Sequence, residues 1–435
     1  MKIAQITPGT GDSFYCENCL RDLSLVKAFD RLGQRVELIP MYLPSKASQQ
    51  AQVPVAPMFF GGINVFLQQK LSLFRKTPRW LDRLFDAPKL LRWAGHQADM
   101  VDARDLGETT ISMLQGEHGR QVKELRHLID WLVQRENKPD IVCLSNALLA
   151  GLARAIKREL SIPVVCLLQD EDEFLDSLRD EYRGRAWRIL SERANDIDTF
   201  IAVSDYYAKK MREKLTIDPA RVEVLHTGIE TACYKPAQNP PEKPTVGYLS
   251  RLCQDKGLDI LADAFIILKK NDKLKDARLR IAGGHTTADE PFVKAVRKKL
   301  SDAGVSEDVL FLDNFDDDAK LAFLQTLSVM CVPERRPPAC GLYVLEALAA
   351  GVPVVEPRAG DFIELINHTD GGLLYEPNDP PTLAATLEKL LLDRDLAQEL
   401  AHQGRNAVIE KFDIDRTAGK MVDIYQKTLT KSSRG

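Results

Sequence analysis

Long apolar runs are missing from this chain. No stretch approaches the roughly 18 consecutive apolar residues that cross a bilayer. MKIAQITPGTG at the N-terminus offers only a short apolar strand before Pro8, too little for an export signal. Cysteine is sparse, with eight in 435 residues. Cys143, Cys166 and Cys331 sit in β-like apolar runs where a buried thiol is the usual occupant, so a reduced, cytoplasmic protein is expected. Net charge is small as well: 59 basic against 63 acidic residues leave −4. That balance speaks against bulk electrostatic binding of nucleic acid. The fingerprint G-x-G-x-x-G is absent after the first strand, which counts against a dinucleotide site. Cys16 and Cys19 form a CxxC with no second pair to complete a zinc ribbon. A redox role and a pair of helix-packing thiols both fit it.

What is present is the composition of a globular protein, 44% hydrophobic and 28% charged, with length for two or three domains. MKIAQI, RVELIP, DIVCLS, IPVVCLL and TFIAVS are strand-sized and apolar on both faces, as parallel strands covered by helices are. Helical patterns separate them, among them Asn146–Leu160 and Asp205–Leu215. Residues 236–244, PAQNPPEKP, hold four prolines and read as a semi-rigid linker. The alternation then restarts with TVGYLS, RLRIAGG, DVLFLD, VMCVP and VPVVEP, with helices over LADAFIILKK, Phe292–Leu300 and Leu342–Ala350. The fold class expected is α/β: two doubly wound domains, 1–235 and 245–412, facing a central cleft, with a C-terminal helix at 413–435 returning to the first domain. Residues 44–135 are too long for a βαβ connection and read as a mostly helical insertion in the first domain, forming one cleft wall.

Several strand ends carry candidate chemistry. TPGTGDSFYCENCLRD places Gly9 and Gly11 in a loop before a helix, where backbone N–H groups can approach a phosphate or sugar hydroxyl; a tight turn gives the same pattern. In GYLSRLCQDKGLDIL a strand delivers Arg251 and Lys256 into a loop, and Gly257 permits a sharp helix entry. Two cations past a strand end suit a diphosphate, one bidentate and one a point charge; a solvated charged loop is the alternative. LRIAGGH puts Gly283 and Gly284 at the same edge. In PERRPPACGLYVLEALAAGVPVV, Gly341 marks a loop-to-helix junction, so the N–H groups of Leu342 and Tyr343 would face an anion with the helix dipole behind them. Glu346 stands inside this otherwise apolar run, where unpaired burial is costly. A sugar's vicinal hydroxyls would pair it; a buried arginine would do so structurally.

Taken in order, IAVSDYYAKKM, VEVLHTGIETACY, GYLSRLCQDKGLDIL, LRIAGG, CGLYVLEALAAGVPVV, RAGDFIELI and GGLLYEPNDPPTLA resemble the retaining nucleotide-sugar glycosyltransferases of family 4, which have the GT-B fold. The resemblance covers nearly the whole chain, and FFGGINVFLQQK with VCLSNALLAGLARAIKREL looks like one bacterial subgroup. It implies transfer of a sugar from a nucleotide-diphosphate sugar to a glycan or lipid-linked hydroxyl, as in polysaccharide or cell-envelope biosynthesis, with no cofactor and no bound metal. Arg251 and Lys256 match the pair that holds the donor diphosphate. Glu346 matches the second glutamate of the E-x7-E motif, which contacts the ribose, and Leu342 and Tyr343 the amides over the phosphates. Gly9 and Gly11 match the N-terminal loop near the sugar. Base recognition is expected from loops like LDNFDDDAKL.

Two positions depart from the pattern. The first motif glutamate would stand at Pro338, with Glu334 the nearest acid in that loop. The strand IPVVCLL, where many members place a histidine, ends at Gln169, followed by Asp170, Glu171 and Asp172. Gln169 can hydrogen-bond a hydroxyl but cannot act as a base; Asp172 or Glu171 can supply a carboxylate or simply begin a helix. Lys70 to Arg92 holds seven Lys or Arg against two Asp, interleaved with Phe74, Trp80 and Phe85. This stretch, 70–93, suits either peripheral contact with an anionic membrane at its inner face or ordinary packing. A non-catalytic nucleotide-sugar-binding protein with a degenerate sugar site is the main alternative. A nucleotide-sugar epimerase and a dinucleotide oxidoreductase are weaker ones.

Overall fold

The computed structural model describes residues 1–8, 17–42, 54–56, 59–60, 106–239, 241–312 and 317–432, with backbone alone at 17–20 and 317–318. The chain divides into two compact units, Met1–His226 together with Asp415–Gly435, and Thr227–Ile414.

In the first unit, β1 (Lys2–Thr7), β2 (Arg35–Pro40), β3 (Ile141–Leu144), β4 (Val164–Leu168), β5 (Thr199–Ala202) and β6 (Val222–Val224) form one parallel sheet in the order β2-β1-β3-β4-β5-β6. Ile3 sits opposite Val36 on one side and Ile141 on the other. Every residue of β3, β4 and β5 is buried, because crossover helices leave a parallel strand no wet face. The span expected as one helix, Asn146–Leu160, is two elements. A 3-10 turn, Ala147–Leu152, is capped by the Asn146 side chain, and the α-helix Ala153–Leu160 follows. Gly151 lets this turn pack closely: a Cβ there would stand 2.1 Å from the Met113 carbonyl of the Gly107–Gln115 helix. The C-terminal helix, Ile414–Ser432, belongs to this unit from Asp415 onward, and Thr428 meets Thr199 at 2.9 Å between hydroxyls.

The second unit repeats the plan. β7 (Thr245–Leu249), β8 (Arg278–Ala282), β9 (Val309–Leu312), β10 (Val329–Met330), β11 (Val354–Pro357) and β12 (Gly372–Tyr375) form a parallel sheet in the order β12-β11-β10-β7-β8-β9. Residues 227–235 join this unit because Ile229 pairs with the chain around Asp413, its N–H donating to the Phe412 carbonyl at 2.9 Å. No helix or strand occupies the described residues of 236–244. In each sheet the chain winds to one side and then restarts beside its first strand. The reversal falls between β1 and β3 in one unit and between β7 and β10 in the other. Such a switch point, outside the carboxyl ends of the strands, is where open α/β sheets bind ligands. Among the described residues no helix is long and apolar enough to cross a membrane.

Candidate functional site

The loop after β7 lies at the switch point of the Thr227–Ile414 unit. Tyr248, fully buried, donates its phenol proton to the Arg251 carbonyl at 2.9 Å and so fixes where the strand ends. Two glycines shape the edge. Gly257 has φ +68°, and a Cβ on it would lie 1.9 Å from the Pro333 carbonyl oxygen after β10. Gly283, at φ +141°, leaves a Cβ only 1.9 Å from the Ser250 carbonyl. Only glycine lets these backbones approach so closely. Arg251 donates to Asp289 Oδ2 from Nε at 3.0 Å and from Nη2 at 2.8 Å. The same oxygen accepts the Thr286 N–H at 2.9 Å and its hydroxyl at 2.6 Å. Burial opposes both charges, yet the Thr286 and Arg251 bonds hold the Asp289 carboxyl below its usual range, and Asp289 raises the basicity of Arg251. A loop thus presents Arg251 with two of its N–H groups converging on one carboxylate oxygen.

Lys256 is matched by the loop after β10. Its Nζ lies 2.8 Å from Glu334 Oε2, and Tyr343 OH donates to Glu334 Oε1 at 2.7 Å. Glu334 is almost wholly buried, so both bonds offset the desolvation of its carboxylate. The surrounding PERRPP segment clamps the first loop. Arg335 donates from its backbone to the Asp255 carbonyl at 2.8 Å and from its guanidinium to Asp259 Oδ2 at 2.5 Å. Arg336 adds an ion pair with Asp255 at 3.8 Å. Beside it, Glu356 at the end of β11 is fully buried. Its Oε2 accepts the Val332 N–H at 3.3 Å, and its Oε1 has no hydrogen-bond partner among the described residues. Burial, reinforced by Glu334, pushes its carboxyl well above the ordinary range.

The helix Leu342–Ala349 starts after Gly341 with no side-chain cap and runs back from this edge of the sheet. Its first amides therefore point out of the N-terminus, where an anion is favoured. All eight of its residues are buried, Glu346 included. Glu346 Oε1 accepts from Lys320 Nζ at 2.6 Å and from Tyr234 OH at 2.8 Å. The buried cation beside Glu346 is a lysine rather than an arginine, and it arrives from the helix Asp317–Leu324.

In the first unit, the residues after β4 are drawn into an internal network. Gln169 accepts from Arg21 and donates to the Ser145 carbonyl, so both ends of its amide are engaged. Glu171 accepts the Ala147 N–H at 2.8 Å, the Gln169 N–H at 2.7 Å and the Tyr207 hydroxyl at 2.8 Å; burial nonetheless raises its carboxyl. Asp172 shares that hydroxyl at 2.8 Å and pairs with Lys210. Tyr207 thus has one hydroxyl proton facing two carboxylates. At the β1/β3 switch point, Gln5, Thr7, Asp22 and Ser145 are buried, and among the described residues several of their side-chain atoms have no hydrogen-bond partner. Such a set calls for ordered water or a hydroxyl-bearing ligand.

Arg251, Lys256, Gly283, Gly341, Leu342, Tyr343 and Glu346 therefore lie on or beside one sheet edge, and Gln169 and Asp172 on the corresponding edge of the other unit. Gly9, Gly11, Cys16 and the 70–93 stretch lie outside the described residues. The partners Asp289, Glu334, Lys320 and Tyr234 were not readable from spacing: each sits far along the chain in a segment with an ordinary loop or helix pattern. A lone lysine between three aspartates and LAFL was the one available hint for Lys320.

Residues 111–232 match the family model described as Glycosyltransferase Family 4, and residues 234–407 match Glycosyl transferases group 1. A GDP-mannose-dependent alpha-(1-6)-phosphatidylinositol monomannoside mannosyltransferase of Mycobacterium tuberculosis is 30% identical over 254 residues, 55% of this chain and 64% of that protein. A D-inositol 3-phosphate glycosyltransferase of Jonesia denitrificans is 24% identical over 57% of this chain and 61% of its own length. The chain thus spans less than two thirds of these curated relatives. Among solved structures, sucrose-phosphate synthase from Thermosynechococcus elongatus superposes with a TM-score of 0.70 at 15% identity, covering 99% of this chain and 100% of that one. Anabaena Alr3699/HepE in complex with UDP gives a TM-score of 0.71 at 16% identity, covering 98% and 100%. These likenesses show the two-sheet GT-B fold.

Proposed function

The chain belongs to the family 4, group 1 glycosyltransferases with the GT-B fold, and from that premise we propose that it is a retaining hexosyltransferase acting on a nucleotide-diphosphate sugar. The observation that carries this reading is the convergence of Arg251, Lys256 and the N-terminus of the Leu342–Ala349 helix on one switch point. Arg251 binds a phosphate edge and Lys256 offsets the charge that develops on the departing diphosphate, while the Leu342 and Tyr343 amides receive it. Glu346 accepts from the ribose hydroxyls. Gly283 and Gly341 keep the backbone close to the donor, and Gly9 and Gly11 are assigned to donor binding on the motif resemblance alone. With this charge supplied by protein, no metal ion is required, and EDTA leaves the rate unchanged.

The acceptor hydroxyl attacks from the face the nucleotide leaves, retaining the anomeric configuration. Asp172 and Gln169 act at the acceptor side. Gln169 acts by fixing the chain after β4, since Arg21 and Ser145 hold both ends of its amide. The name of the phosphatidylinositol monomannoside mannosyltransferase supports a glycan or lipid-linked acceptor; the basic, aromatic composition of residues 70–93 motivates a peripheral contact at the inner face of the membrane. Co-sedimentation with anionic vesicles tests that contact. Purified protein is to be assayed for hydrolysis and transfer with UDP-, GDP- and ADP-sugars, GDP-mannose included. Turnover of one donor is expected, and none with any donor removes the proposal. The engaged Gln169 and the proline at position 338 favour a second reading, nucleotide-sugar binding without turnover; calorimetric binding with no product for any acceptor would establish it.

A further inference from the structure

The ion pair of Lys320 and Glu346 is almost wholly withdrawn from water, and Glu346 is the one charged residue of its helix. Three separate elements build it. Glu346 comes from Leu342–Ala349, Lys320 from Asp317–Leu324, and Tyr234 from the turn that opens the second unit. The Lys320 ammonium also lies 5.9 Å from the Tyr234 ring centre, over its face. Arg405 backs the same corner, donating to the Tyr234 carbonyl at 3.0 Å and to the Ala349 carbonyl. Among the described residues, Lys320, Tyr234 and Arg405 stand around Glu346 from the elements packed there. A buried carboxylate with no countercharge takes up a proton instead of remaining ionised. A protonated carboxyl carries an O–H and is a poor acceptor, whereas a vicinal diol brings two donors.

We propose that Lys320 is a positioning residue for ribose recognition: it fixes the Glu346 carboxylate by the bond to Oε1 and supplies its buried countercharge. This rests on the donor-site reading above, in which Glu346 meets the ribose. Lys320 itself touches no substrate; it acts through Glu346, and the phosphates remain the business of Arg251 and Lys256. Ribose selectivity is therefore set by a residue 26 positions upstream of the one that makes the contact.

The test compares the tightest binder among UDP, GDP and ADP with its 2′-deoxy counterpart, by calorimetry between about pH 6 and pH 9. Both ligands carry the same phosphate titration, so their affinity ratio isolates the sugar. Wild type holds a constant preference for the ribonucleotide across this range. Lys320→Met loses roughly tenfold of that preference at the acid end and regains it as pH rises and Glu346 ionises. Lys320→Arg keeps the charge and behaves as wild type, and Glu346→Gln shows a low preference at every pH. Lys320→Gln is read in the same way should the methionine variant fail to fold. Equal loss of both nucleotides at all pH values, or a preference untouched in Lys320→Met, overturns the assignment. Unchanged nucleotide affinity in Arg251→Ala removes the donor-site reading beneath it, an outcome separate from either.

Discussion

Replacing Gly257 with alanine tests how the two cationic loops are held together. At φ +68° an alanine incurs about 1–2 kcal/mol of left-handed strain. Its Cβ would stand 1.9 Å from the Pro333 carbonyl oxygen, and ordinary contact begins at 3.4 Å, so the seam must open by about 1.5 Å. That displacement stretches the Arg335–Asp255 backbone bond of 2.8 Å and the Lys256–Glu334 bond of 2.8 Å, each worth about 1 kcal/mol net. The total is about 3–4 kcal/mol, which for a unit of this size lowers Tm by roughly 6–16 °C. Gly304→Ala is the matched control: φ is +73°, and nothing lies within 4 Å of the added carbon. It should lose only the conformational part, about 1–2 kcal/mol, with nucleotide affinity intact. Scanning calorimetry of both variants gives the stability difference, and titration with UDP, GDP and ADP gives affinity. Gly257→Ala should bind at least tenfold more weakly. Equal Tm losses in the two variants, or unchanged affinity in Gly257→Ala, would refute the close seam as the device that sets Lys256.

Tyr343→Phe leaves Glu334 Oε1 without its 2.7 Å donor in a buried position, and should cost about 1–3 kcal/mol in urea unfolding with the fold otherwise retained. Glu356→Gln should stabilise the protein above neutral pH. The native carboxyl is raised by burial, so the folded state binds the extra proton, and wild-type stability falls as pH rises through that raised value. The advantage of the variant should vanish near pH 4, and thermal melts across pH would show a constant offset if Glu356 were not the cause. Lys320→Met and Glu346→Ala each strand a buried charge and should lose about 3–5 kcal/mol, whereas the Lys320→Met/Glu346→Leu double variant should recover most of it. A double-variant loss equal to the sum of the single ones would show that the two groups are not coupled.

Much of the architecture was legible because parallel strands advertise themselves. Apolar runs such as VVCLL and TVGYL are buried on both faces, and glycine, proline or a polar cap closes each one. β6 was harder: three residues, Val-Glu-Val, offer too short a pattern to read as a strand alone. Asn146–Leu160 kept helical periodicity although its first part is a 3-10 turn; Met113, against which Gly151 packs, is distant in sequence and invisible to a local pattern. The cations of the candidate site were legible because Arg251 and Lys256 follow a clear strand and precede a glycine. Their counter-ions were not. Asp289 and Glu334 stand in loops that read as solvated, and Lys320 in an amphipathic-looking segment. An ion pair is chosen by tertiary approach, which leaves no period in the chain. The question raised by Glu346 was therefore well posed by the sequence and answered only by the fold.

The most direct test of the central claim is product analysis by proton NMR after reaction of wild type and Lys256→Ala with an active nucleotide sugar. The account predicts a product with the anomeric configuration of the donor, formed with or without EDTA, and a rate reduced at least a hundredfold in the variant, equivalent to about 2.7 kcal/mol of transition-state stabilisation. An inverted product, or an undiminished rate in Lys256→Ala, would contradict it.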